Sequence, residues 1–232
     1  MIQSMSNNKV KELNKLNKKK HRLEEGKFLV EGYHLVEEAK KAGYLLEVLS
    51  TEDYDFENVT LVDRLIIEKL SKSKSPQDVI GVCKMIDKNI QSDKILILDD
   101  ISDPGNFGTL LRSAVGFGFE KIIVSKDTCD EYNDKVIRSS QGAIFHVDIV
   151  RGDLVSEIKA LSEYKIIGTD LKGKTNYEDT VEKIALVLGN ESRGMSEEVK
   201  EYCDEMLLIE INKIESLNVA IAGSILMHMI KN

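Results

Sequence analysis

Five polar side chains in the last 130 residues have types and spacing that could do chemistry: Asn106, Arg112, Glu191, Ser216 and Asn218. Asn106 opens Asn106-Phe-Gly-Thr-Leu-Leu-Arg112, where the pattern predicts a helix N-cap at Asn106 with Gly108 just inside. A rise of about 1.5 Å per residue puts Arg112 roughly 9 Å further on, with a side chain long enough to reach over a strand edge. An amide there could hold a polar ligand group, and a guanidinium could clamp a phosphate or work on a hydroxyl. The same residues could equally be a cap and a solvent-facing arginine. Glu191 lies in Gly189-Asn-Glu-Ser-Arg-Gly194, which has neither the Gly-Lys-Ser/Thr ending of a Walker loop nor a G-x-G-x-x-G pattern. A glycine-bounded loop carrying a carboxylate suits adenosine or a cationic cofactor better than a triphosphate, unless it is only a turn. In Ser216-Leu-Asn-Val219, Ser216 is placed to cap the last helix, and Asn218 is an indifferent helix former whose side chain is available for another role.

The elements that must position these groups follow a regular pattern. Apolar, β-branched runs at Ile95–Leu98, Lys121–Val124, Phe145–Val150, Lys165–Gly168, Ile184–Leu188 and Met206–Ile211 read as strands. Helical segments near Phe107–Phe117, Glu131–Ser139, Leu154–Leu161 and Ser196–Tyr202 separate them, and Ser216–Met229 reads as the last helix. Continuous apolar strands alternating with helices indicate an α/β fold with a parallel sheet covered on both faces. Ahead of it, Phe28–Glu31, Tyr33–Lys41, Leu45–Ser50, Val59–Val62, a helix from an Asp63 cap to Leu70, and Val79–Ile86 make a smaller α/β module. The polar stretch Asp87–Asp93 reads as a linker, giving domains over 1–88 and 93–232.

The chain has 232 residues, is 42% hydrophobic and 31% charged, and so reads as globular. Cys83, Cys129 and Cys203 are an odd, widely spaced set, which argues against a disulfide framework, and four scattered histidines offer no metal-binding pair. The longest nearly apolar run, Val219–Ile230, is 12 residues, too short for a bilayer, and the lysine-bearing start lacks an export h-region. A cytoplasmic protein without metal or membrane partner is the expectation. The net charge of −8 is uneven: from Lys9 to Lys27 eight Lys/Arg face three Glu, leaving +5 there and −13 elsewhere. Leu13, Leu16, His21 and Leu23 fall loosely on one side of this lysine-rich helix. A cationic arm on an acidic body concentrates phosphate attraction at one end, although solvated lysines can serve solubility alone.

Together the three stretches resemble the SpoU (TrmH-type) branch of the SPOUT RNA methyltransferases. Asn106, Gly108 and Arg112 match that family's N-x-G-x-x-x-R motif; Gly189, Glu191 and Gly194 match G-x-E-x-x-G; Ser216, Leu217, Asn218 and Val219 match S-L-N-V. The resemblance covers Lys94 to the C-terminus, and Phe28-Leu-Val-Glu-Gly32 with its following helix resembles the small RNA substrate-binding domain that often precedes it.

The resemblance implies transfer of a methyl group from S-adenosyl-L-methionine to a ribose 2′-hydroxyl, with ribosomal RNA favoured over tRNA. It also implies a C-terminal segment threaded into a deep trefoil knot, a rare exception to unknotted topology, and a homodimer. The positions matching the cofactor site are Thr169, Gly189, Asn190, Gly194, Ile209 and Leu217. Arg112 would stabilise the developing alkoxide, orient the neighbouring phosphate and complete the site beside or across the dimer interface. A role as base is at odds with a group that stays protonated. Asn106, Glu191, Ser216 and Asn218 would fix the ribose and the Arg112 geometry. One departure stands out: the family's I-P-M-x-G ahead of S-L-N is replaced by Ile209-Glu-Ile-Asn-Lys-Ile-Glu215, without proline or glycine. The rival expectation is a non-catalytic RNA-binding or ribosome-assembly protein that keeps the fold; a nucleotide-dependent α/β enzyme lacks any phosphate-loop motif.

Overall fold

The structure, a computed structural model, describes residues 2–177 and 181–230. In chain order the first elements are α1 (Asn8–Lys15), α2 (Lys19–Glu25), β1 (Lys27–Glu31), α3 (Tyr33–Lys41), β2 (Leu45–Ser50), β3 (Val59–Leu61), α4 (Arg64–Leu70) and β4 (Val79–Lys84). Then come β5 (Lys94–Leu98), α5 (Pro104–Gly116), β6 (Lys121–Ser125), α6 (Asp134–Ser140), β7 (Asp148–Gly152) and α7 (Leu154–Ala160). The last are β8 (Lys165–Lys174), β9 (Ile184–Leu188), α8 (Glu197–Lys200), β10 (Glu205–Leu207) and α9 (Val219–Ile230). The chain divides into two compact units, one running to Asp87 and including Asp130–Phe145, the other comprising Lys88–Cys129 and the chain from His146.

The first unit is a four-stranded sheet in the order β1-β4-β2-β3, with β4 antiparallel to both neighbours and β3 parallel to β2. The lysine-rich start is two helices rather than one, broken between Leu16 and Lys18. The restart shifts the helical phase, so Leu23 is 61% exposed and Arg22 is buried instead. The buried Arg22 guanidinium donates to Leu16 O at 2.9 Å and pairs with Asp130. Such a side chain lays its apolar stem along the core while its head is neutralised. Val10, Leu13 and Leu16 join Leu49, Ile66, Ile67 and Leu70 in one buried cluster, so the arm is part of the core of this unit. Asp63 caps α4 as its sequence predicts, accepting from Leu65 N at 2.9 Å.

The second unit is a six-stranded, all-parallel sheet in the order β10-β8-β9-β5-β6-β7. Every residue of β9 is buried, as are Ile95 to Leu98 of β5, which is why these central strands read as unbroken apolar runs. The expected strand at Phe145–Val150 begins only at Asp148. Ala143–His146 is a 3₁₀ turn, and Phe145 instead stacks with Phe28 and Tyr44 in the first unit. β8 is longer than expected and β10 shorter, the chain from Leu208 leaving the sheet after one further bond to Lys174 O at 2.7 Å. From β5 the chain builds β6 and β7 to one side, then returns to place β8 and β9 on the other. The direction of winding therefore reverses between β5 and β9, and ligands of open α/β sheets bind outside the strand carboxyl ends at such a point.

Candidate active site

Leu98 and Leu188 are register partners at the carboxyl ends of β5 and β9, so the loops that follow these strands emerge side by side. The β5 loop enters α5 through Asp103-Pro104. Asp103, not Asn106, is the N-cap: its carboxylate accepts from Asn106 N at 2.9 Å and proline occupies the first turn. Proline suits that position because its fixed φ is helical and its missing N–H would be unbonded anyway. This moves Asn106 inside the first turn and frees its side chain for work beyond the helix.

The β9 loop closes on itself, with Asn190 and Gly194 exchanging backbone bonds of 3.0 and 2.9 Å. The Asn190 carboxamide accepts from Ser192 N and Arg193 N at 2.9 and 3.1 Å and donates to Asp100 O at 2.8 Å. Gly194 takes a left-handed φ of 71°. A Cβ at Gly189 would lie 2.1 Å from Met195 N, so the loop can fold this tightly only with glycine there. Arg193 pairs with Asp100, and Asp99, only 9% exposed, accepts from Ser196 N at 2.7 Å.

Glu191 reaches from this loop onto the start of α5. One carboxylate oxygen accepts from Ser102 N and Ser102 Oγ at 3.2 and 2.9 Å; the other accepts from Asp103 N and Asn106 Nδ2 at 3.1 and 3.0 Å. Burial pushes this carboxyl up, but the Asn106 amide and the surrounding backbone N–H groups outweigh it and hold Glu191 below the usual carboxylate value. Asn106 Oδ1 in turn accepts from Asn218 Nδ2 at 2.9 Å. Asn218 Oδ1 accepts from Ala220 N and Ile221 N at 3.0 and 3.3 Å, so Asn218, rather than Ser216, caps α9. The three stretches thus share one directional chain of hydrogen bonds, from α9 amides through two carboxamides to a carboxylate. Each amide's orientation is dictated by the next.

Beside this chain lies a cleft of about 450 Å³, within the range of ordinary small-molecule sites. Thr169, Gly189, Asn190, Gly194, Ile209 and Leu217 all line it, as do Glu191 and Ser216. Leu188, Leu207, Val219, Ala222 and Leu226 give it an apolar floor, and the carboxylates of Asp170 and Glu215 stand on its wall. Asp170 is paired with Lys200, which also lines the cleft, at 3.8 Å. An apolar floor suits a heterocycle, a polar rim suits a ribose and an amino-acid group, and the Glu215 carboxylate suits a cation. The residues present therefore fit an adenosyl sulfonium. Asn106 and Asn218 are not among the residues that line it.

Arg112 stands apart from the cleft, on the exposed side of α5, and among the described residues its guanidinium has no hydrogen-bond or ion-pair partner. Ser102 and Asp103, which anchor Glu191, were not among the residues picked from sequence; the Asp-Pro pair at the start of a helix was the available signal. Burial pushes the Cys83 and Cys203 thiols up, Cys203 to about 11, so both are protonated at neutral pH and act as packing groups. Among the described residues no group of three or more His, Cys, Asp or Glu could hold a metal ion, and no helix is long and apolar enough to cross a membrane.

A family profile described as the SpoU rRNA Methylase family matches residues 93–228, and one described as an MRM3-like substrate binding domain matches residues 7–81. The 23S rRNA (guanosine(2553)-2′-O)-methyltransferase RlmP of Bacillus subtilis is 35% identical, the match covering 99% of this chain and 98% of that one. Among solved structures, the AdoMet-bound rRNA methyltransferase of Sinorhizobium meliloti superposes with a TM-score of 0.87 at 26% identity, covering 98% and 95% of the two chains. A TrmH-family protein from Porphyromonas gingivalis superposes at 0.84 with 30% identity, covering 97% and 98%.

Proposed function

Because the chain belongs to the SpoU rRNA methylase family, we propose that it transfers a methyl group from S-adenosyl-L-methionine to a ribose 2′-hydroxyl of ribosomal RNA. The observation that carries this reading is the continuous hydrogen-bonded link from Glu191 through Asn106 to Asn218 beside a cleft lined by all six candidate cofactor residues. The Bacillus subtilis relative, named for a 23S rRNA nucleotide, supports ribosomal RNA over tRNA.

Thr169, Gly189, Asn190, Gly194, Ile209 and Leu217 would hold the cofactor, which when bound supplies an electrophilic methyl group on a sulfonium. The work left to the protein is to align the ribose oxygen and to stabilise charge as its proton departs. Charge stabilisation falls to Arg112. A permanent cation with five donors, exposed and unengaged, it can orient the phosphate next to the target ribose and stabilise the developing alkoxide. Glu191, Asn106 and Asn218 are positioning residues, fixing the starts of α5 and α9 relative to the Gly189–Gly194 loop and thereby the helix that carries Arg112. Ser216, on the cleft wall, has an exposed hydroxyl that would meet the ribose.

The first unit recruits RNA. Within its basic arm Lys9 pairs with Glu47, Lys15 with Glu12 and Lys20 with Glu24, and Arg22 is buried. Lys11, Lys18 and Lys19 are exposed and, among the described residues, carry no ion pair, leaving their charge available to phosphate. A homodimer is supported by α9, where Ile221 and Ile225, one turn apart, are 53% and 38% exposed. The trefoil knot belongs to the same reading. The protein would work in the cytoplasm, a placement supported by its similarity to a bacterial ribosomal RNA methyltransferase. Incubating the purified chain with methyl-labelled cofactor and ribosomal or transfer RNA, then mapping alkali-resistant linkages, tests the proposal. Label confined to base atoms, or none in ribosomal RNA, would overturn it.

A further inference from the structure

Three aromatic rings in the first unit meet at the surface and serve neither the sheet nor the cleft. Tyr33 opens α3, while Tyr54 and Phe56 lie in the loop between β2 and β3. The Tyr33 ring is 5.6 Å from that of Tyr54 and 5.4 Å from that of Phe56, and Tyr54 and Phe56 are 6.4 Å apart, all mutually tilted. Tyr33 is half exposed. An open aromatic triad of this kind could stack RNA bases, but its charge is wrong for RNA. The loop reads Glu52-Asp53-Tyr-Asp-Phe-Glu57, four exposed carboxylates with no cation among them. Burial first, then the charges of Glu52 and Asp78, raises the Tyr54 hydroxyl, so the charges felt at this ring are negative.

The patch already seats one cation of its own. Lys40 Nζ lies 5.4 Å from the centre of the Phe56 ring and donates to Asp55 O at 3.5 Å. Ring faces are electron-rich and attract ammonium and guanidinium groups, and surrounding carboxylates add longer-range attraction. Tyr33 and Tyr54 have no cation over them among the described residues. From this juxtaposition we infer that the Tyr33–Tyr54–Phe56 patch docks a lysine- or arginine-rich segment of a partner protein, with cationic side chains seated against the two tyrosine rings and the loop carboxylates around them. Arginine fits best, because its planar head can lie flat on a ring while donating to a carboxylate. The inference is independent of methyl transfer.

The test is fluorescence anisotropy of a labelled octapeptide of alternating arginine and glycine, titrated with the 232-residue chain. A peptide with glutamine in place of arginine is the control. The arginine peptide binds and the glutamine peptide does not; Tyr33→Leu and Tyr54→Leu each weaken binding roughly two- to fivefold, the worth of an exposed cation–π contact. Tyr33→Phe and Tyr54→Phe retain it, since the ring face and not the hydroxyl is used, and they also show that the patch remains folded. Asp53→Asn with Glu57→Gln weakens binding and flattens its salt dependence. Binding that ignores both Tyr→Leu changes yet falls with the carboxylates is diffuse attraction to an acidic protein and overturns the inference. So does no arginine-peptide binding, or a patch that instead takes single-stranded oligoadenylate in a Tyr33- and Tyr54-dependent way.

Discussion

Asn106 gives its two amide ends to different partners: Nδ2 to Glu191 and Oδ1 to Asn218. Replacing it with alanine strands a half-buried carboxylate and a helix-capping amide, a loss of about 1–3 kcal/mol. The expected outcome is a lower unfolding midpoint together with weaker cofactor binding, both readable by thermal denaturation with and without S-adenosylmethionine. Asn106→Asp should do worse, because a second carboxylate would face Glu191 and raise its pKa; the defect should shrink as pH falls. In the wild type Glu191 titrates below its unfolded value near 4.5. Its contribution to stability is therefore complete above that value and disappears as pH falls through the lower folded value. Unfolding followed between about pH 6 and 3 should show this loss, and Glu191→Gln should blunt it. Gly189→Ala places a methyl carbon against Met195 N and should abolish cofactor binding by displacing the loop. At this scale the sequence was informative about which residues matter and less so about how. Glu191, Asn106 and Asn218 were legible as polar groups at junctions. That two of them bond to each other across 112 residues of chain is a fact of tertiary structure that no local pattern encodes.

Among the elements, those whose apolar pattern is set locally were readable. Tyr33–Lys41, Leu45–Ser50 and Ile184–Leu188 form as their periodicity predicts, burying Leu35, Val36 and Ala39, the stretch Val48–Ser50, and the whole of Ile184–Leu188. Helix starts were harder, since Asp103 and Asn106, or Ser216 and Asn218, are all competent caps and the choice depends on which side chain is needed elsewhere. Asp103 is the cap because Asn106 is engaged by Glu191; Asn218 fills both roles by using opposite ends of one carboxamide. Asp103→Ala should therefore cost at least about 1 kcal/mol, the worth of the lost cap, and Ser216→Ala should leave stability unchanged while lowering turnover. Circular dichroism melts and steady-state rates on the two variants separate a capping role from a site role. Arg22 is the other case where periodicity misled: a cation paired with Asp130 took the inward position that Leu23 was expected to fill.

For the whole molecule, an acidic chain with a basic beginning proved to have that beginning built into a packed core through Val10, Leu13 and Leu16. Removing the arm would unfold the first unit, so its role is better tested by charge. Changing Lys11, Lys18 and Lys19 to glutamine should weaken RNA binding and lower its salt slope by up to about three, with cofactor affinity unaltered. Ile221→Glu with Ile225→Glu should shift the chain toward monomer in sedimentation equilibrium. If Arg112 completes a site beside or across the interface, methyl transfer should fall with dimer content. The parallel sheet and its crevice were legible from alternating runs; the packing of Asp130–Phe145 with the first unit was not, because it depends on Phe145 and Tyr132 meeting Phe28 far away in sequence. One variant goes furthest toward deciding whether the cleft and the exposed guanidinium form a single methyl-transfer site. Arg112→Ala, measured by calorimetry with S-adenosylmethionine and by methyl incorporation into ribosomal RNA, should bind cofactor within about twofold of wild type and transfer no methyl group. Unchanged turnover would contradict the assignment.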